Sequence, residues 1–179
     1  MHRISTLLFV LIGIGCGTVD DQIIIDENTY STFEEFRNGV NKMICDSIDF
    51  RIELNVKDNL YPMHYCETDK IIIREINYFS ISETQYARFQ FQISDSLLLM
   101  ELEDYIMNPK RREYNAIKPE KAFVMLQLKD TTSTKELFKQ LNRISSIFDQ
   151  IRKKYSLDKK LSIRFRSSAE KPFPKFITN

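Results

Sequence analysis

The sequence predicts an α+β fold: a single two-layer domain with a mixed or antiparallel β-sheet packed by about three helices. Two observations carry this. Apolar residues alternate with polar ones in short runs at 50–57, 87–93 and 161–166, and they recur at helical spacing in 33–44 and 137–155. The composition agrees, with 42% hydrophobic and 28% charged residues and only four glycines and five prolines in 179 positions. That supports a packed core and excludes a low-complexity linker or a glycine-rich nucleotide cradle.

Taken in order, the first helix starts near Ser31 or Thr32. Ser31 with Glu34, or Thr32 with Glu35, has capping-box spacing, and Phe33, Phe36, Val40, Met43 and Ile44 follow at helical period. Phe50, Ile52, Leu54 and Val56 then alternate with charged or polar neighbours as in a half-buried strand. Residues 58–69 read as a loop. Residues 70–77, rich in isoleucine, read as a strand that extends toward Ile81, and 87–93 give the cleanest strand pattern.

Residues 96–107 admit two readings, a hairpin return over 97–103 or a helix capped by Asp95 or Ser96. The helix is preferred, because leucine, methionine and glutamate favour it and Asn108-Pro109 stops it. After a polar excursion at 110–119, residues 122–128 form a mostly apolar strand. Ser133 and Glu136 open a long helix striped by Leu137, Leu141, Ile144, Phe148, Ile151 and Tyr155. Leu161, Ile163 and Phe165 make the last strand, whose other face carries Arg164 and Arg166. Residues 171–179, with two prolines, are expected to be a flexible tail. The domain is therefore expected over 32–170.

The N-terminus reads as an export signal. Met1-His2-Arg3 supplies a charged start, and an apolar run to Gly15 is too short for the roughly 20 residues that cross a bilayer. Gly13-Ile14-Gly15-Cys16 resembles a bacterial lipobox, departing from it at Gly13, where leucine is usual. On this reading residues 1–15 are removed and Cys16 becomes the lipidated first residue. Residues 16–31 are a polar tether, and the chain is held at the membrane by lipid on Cys16. The expected location is the outer membrane, on its periplasmic side or at the cell surface, with no nucleic-acid partner. Cys45 and Cys66 then remain in an oxidising compartment, where they can bridge; alternatively, Cys45 is simply buried at the end of the first helix.

Charge is uneven. Residues 20–58 hold ten acidic and four basic side chains, a balance of −6, whereas 152–179 hold nine basic and two acidic, a balance of +7. Such asymmetry marks either a charged partner or two chain ends that neutralise each other. Lys110, Arg111 and Arg112, and the Arg164–Arg166 face, are the candidate partner-binding residues.

Catalytic signatures are missing. The mature chain has one histidine, His64, so metal sites built on histidine clusters and a His-Glu-x-x-His arrangement are excluded. No nucleophile-elbow sequence is present. A His64–Cys66 pair is sterically conceivable but lies in an expected loop. Glu101, Glu103 and Asp104 read as a solvated helix face rather than paired glycosidase acids. No catalytic residue, cofactor or metal is expected.

From about Ile93 onward the chain resembles the periplasmic domain of the ExbD/TolR family, stator-like components of proton-driven transducers. The residues that carry the likeness are Leu102-Glu103-Asp104-Tyr105-Ile106-Met107-Asn108-Pro109, Lys118-Pro119-Glu120-Lys121, the strand at 122–128, and Lys129-Asp130-Thr131-Thr132-Ser133-Thr134 leading into the long helix with Asn142, Ile144 and Ile151-Arg152. It covers about half of the mature chain. That family places a transmembrane helix with a proton-handling aspartate before the domain, whereas the only apolar segment here is the signal, which holds no acidic residue. The resemblance implies a binding fold without proton coupling, taking an envelope protein or peptidoglycan as partner. The alternative is a surface lipoprotein of unrelated α+β fold with a structural or ligand-binding role; an envelope hydrolase ranks last.

Overall fold

The chain begins its fold earlier than expected. In the computed structural model, which describes residues 22–56, 60–63, 78–83, 89–112 and 115–170, residues Ile23–Ile25 form β1 inside the stretch read as a tether. They pair in parallel with β2, Phe50–Ile52, and Ile25 is fully buried. Three isoleucines are too few to show a period, and their partner lies 27 positions away, so local pattern gave no sign of pairing. Between them runs α1, Phe33–Cys45, capped by Thr32, whose hydroxyl accepts from the Glu35 N–H. The Glu35 carboxylate returns to the Ser31 N–H at 2.9 Å, so the two candidate caps share the work. Gly39 leaves room for Tyr30, since a Cβ there would overlap the tyrosine ring and hydroxyl.

The main sheet has five strands in the order β3-β7-β6-β4-β5, where β3 is Leu60–Pro62, β4 Phe79–Ser82, β5 Phe89–Gln90, β6 Phe123–Leu128 and β7 Leu161–Ser167. Every strand pair among the described residues is parallel. The expected mixed or antiparallel sheet is thus corrected. Helices lie in two of the connections between parallel strands: α2 (Asp95–Met107) joins β5 to β6, and α3 (Thr134–Tyr155) joins β6 to β7. Both crossovers step the same way across the sheet, so right-handed connections put both helices on one face. Val124, Leu126 and Leu128 of β6, with Phe79, Ile81, Ile163 and Phe165, meet the apolar faces of all three helices in one core. The opposite side of β6 also buries Phe123 and Met125, as parallel sheets usually bury both faces. The class is α+β with three helices.

Other boundaries moved. Of the alternation at 87–93, the described residues Phe89 and Gln90 form β5, while Phe91 and Gln92 lie in a turn. The Arg143 guanidinium holds that turn through the Phe91 and Ile93 carbonyls and the Asp95 carboxylate. Ser94, rather than Asp95 or Ser96, caps α2, and residues 97–103 are helical, as preferred. The loop expected at 58–69 contains β3, and β2 stops at Ile52, although Leu54 stays buried. α2 stops at Asn108 and Ser133 caps α3, both as expected; Asn108 does so in the left-handed conformation. The strand expected at 70–77, the tail at 171–179 and the signal at 1–15 lie outside the described residues.

Tyr105 ties α2 to β6. Its buried hydroxyl donates to the Phe123 carbonyl at 3.1 Å and lies 3.2 Å from the Phe123 N–H. Tyr105→Phe is expected to destabilise by about 1–3 kcal/mol, because buried backbone groups lose a partner. The denaturant midpoint should fall with an unchanged slope.

Candidate binding cleft

The parallel β1-α1-β2 unit stands beside β3, the edge strand of the large sheet, and between them opens a cleft of about 430 Å³, a volume in the range of ligand sites. Its floor is apolar, from Ile44, Phe50, Ile52, Leu54 and Leu60, and its rim carries Asp49, Arg51, Tyr61 and Lys160. The Gln22 amide donates to both carboxylate oxygens of Asp49 at 3.1 Å, which pins the start of β1 to the turn before β2. The Met63 N–H donates to the Ile163 carbonyl at 2.7 Å. By strand alternation Leu60 and Pro62 therefore turn their backbones away from β7. Pro62 has no N–H to offer there, which blunts this edge against a further strand. The site suits a ligand held by side chains.

Cys45 closes α1 next to the cleft residues Ile44 and Ser47, and it is disulfide-bonded. Its partner is outside the described residues, as are Cys16, His64 and Cys66.

The basic residues singled out from sequence do not gather. Lys110 and Arg111 are exposed after α2, while Arg112 is committed to Asp104 at 3.0 Å and donates its N–H to the Asn108 side chain. Arg164 is half-buried on β7. Arg166 is only 5% exposed, and its Nε bonds to Glu170, whose carboxylate also takes the Arg37 guanidinium. Arg37 and Asp130 sit at 3.6 Å in the same cluster, and the Ser167 hydroxyl donates to Asp130 at 2.9 Å. This network fastens the end of β7 to α1. The α2 terminus adjoins the start of β6 through Tyr105, whereas Arg166 is in register with Gln127 near its end. The two basic groups thus occupy opposite ends of the sheet.

Of the acidic candidates, Glu103 accepts from the Lys154 ammonium at 2.7 Å and the Tyr155 hydroxyl at 2.6 Å, clamping α2 to α3. These bonds, the lysine first, hold its carboxyl below its ordinary value of 4.5, and the same bond raises Lys154 above 10.5. A lowered carboxyl pKa stabilises the fold above the unfolded value and loses that contribution as pH falls through the folded one. A raised lysine pKa acts in the other sense, losing its contribution as pH climbs through the folded value. The clamp is therefore expected to weaken at both extremes. In melting curves Glu103→Gln should flatten the acid limb, leaving the variant less sensitive than the parent below about pH 4.5.

Sequence reasoning missed the cleft. Its lining is drawn from 22–62 and Lys160, and the one available cue was Pro62 within an apolar-flanked Leu60-Tyr61-Pro62. Comparison of the chain with models of known families, with curated proteins and with solved structures finds no match.

Proposed function

We propose that this chain is a lipid-anchored, non-catalytic binding module of the cell envelope, built on an ExbD/TolR-like domain without the proton-coupling transmembrane helix. The observation that carries the reading is the order α2, β6, α3, β7 with both helices on one face of the sheet, an arrangement that favours it. Supporting it, the ionisable side chains Arg37, Glu103, Arg143 and Arg166 are spent tying elements together. No helix among the described residues is long and apolar enough to cross a membrane; in this reading the attachment is through acyl chains on Cys16. The partner is an envelope protein or peptidoglycan, met by the exposed Lys110 and Arg111.

Photo-crosslinkers placed at positions 110 and 111 in the lipidated protein test this in intact cells. One envelope component, or peptidoglycan fragments, should be captured at these positions. Capture should disappear in a Lys110→Glu/Arg111→Glu variant that melts like the parent. No adduct at either position would remove this surface from the account. A second reading, a ligand-binding lipoprotein of unrelated α+β fold, is favoured by the cleft; it predicts that small ligands raise the melting temperature while position 110 captures nothing.

A further inference from the structure

Gln22, the residue before β1, lies on the wall of the cleft. Only five residues separate Gln22 from Cys16. Fully extended, six Cα steps span about 20 Å, so acyl chains on Cys16 keep this corner of the domain within that distance of the bilayer. Apolar surface is exposed here: Ile24 is 48% accessible, Tyr61 60%, and Ile23 and Ile48 about 40% each. Ile24 is the cross-strand neighbour of Arg51, which lines the cleft with Ile48 and Tyr61. Tyrosine suits a membrane interface because its ring is apolar and its hydroxyl is wet. Arg51 and Lys160 on the rim are offset by Asp49 and by the exposed Glu53, so charge does not drive the contact. A surface confined so near the membrane has a high effective concentration, and a weak apolar contact then suffices for seating.

We propose that the face formed by Ile24, Ile48 and Tyr61 rests in the bilayer interface, so that the domain sits down on the membrane at the cleft rim instead of swinging free on its tether. The inference rests on lipidation of Cys16. It orients the molecule: the cleft opens at the lipid surface, and the N-terminal turn of α3 faces away.

The chain has no tryptophan, so Tyr61→Trp introduces a single reporter. The full-length lipidated protein is placed in phosphatidylcholine vesicles whose acyl chains carry bromine. Emission from position 61 should shift to the blue and be quenched, and high salt, which screens exposed charges, should not reverse it. A Lys135→Trp reporter on the exposed first turn of α3 should emit as in water. Adding Ile24→Glu should abolish quenching at position 61 while leaving the fatty-acid label intact. Water-like emission at position 61 from a labelled, vesicle-bound chain would overturn the seating and leave the anchor standing. A chain that carries no fatty acid and does not float with vesicles would remove anchor and seating together.

Discussion

Phe36→Ala is expected to lower the unfolding free energy by about 4 kcal/mol, within the 3–5 kcal/mol that emptying a buried aromatic site usually costs. Phe36 is wholly buried at the place where α1 meets the rest of the molecule. Its ring lies edge-to-face with Phe165 at 5.0 Å, Phe138 at 6.0 Å and Tyr30 at 6.1 Å, so it touches β7, α3 and the approach to α1 together. Each such pair adds about 0.5–1.5 kcal/mol beyond burial. Collapse of the surroundings would soften the loss. It is opposed here because the N-termini of α1 and α3 are locked by the Phe33 N–H to the Thr132 carbonyl at 2.7 Å and the Thr134 N–H to the Ser31 carbonyl at 3.2 Å. Chemical denaturation of the parent and the variant measures the difference. A loss under about 1.5 kcal/mol, the cost of a volume-conserving swap, would show that this junction is not packed as described.

Loss of the Cys45 disulfide is expected to cost about 3 kcal/mol, if the bond closes a loop of about 20 residues to Cys66. For a domain of this size that is roughly a 10 °C fall in melting temperature. Cys45 is cross-linked where α1 ends beside the cleft, so opening the bond frees the carboxyl end of the helix and the wall it forms. Cys45→Ala and reductant should give the same shift, and reductant should not act further on the variant. Peptide mapping without reductant should recover residues around 45 joined to residues around 66. A peptide joined instead to Cys16 would refute both this pairing and the lipid on that residue.

The elements with long apolar periods were legible from sequence. In α3 and α1, Leu137, Leu141, Ile144, Phe148 and Phe33, Phe36, Val40 recur on one side over several turns, and their caps, Ser133 and Thr32, have the required chemistry. Helices declare themselves because their period and their capping are local. Strand direction is not local. The alternation at 161–166 is what a half-exposed antiparallel strand would show, yet β7 lies between two parallel neighbours, and Arg166 is buried because Glu170 and Arg37 meet it there. The three-residue strands β1, β2 and β3 were blurred for a related reason, since pairing across 27 or about 100 positions leaves no trace in a short window. The cleft that they frame was therefore invisible, and the basic residues chosen instead divide between exposed loop and structural ion pair.

Mass analysis of the protein purified from membranes decides whether Cys16 is the anchor. The first residue is expected to be Cys16, its mass to include acyl chains, and Cys16→Ser to abolish incorporation of a fatty-acid probe. A native polypeptide that retains Met1 and carries no fatty acid would contradict it.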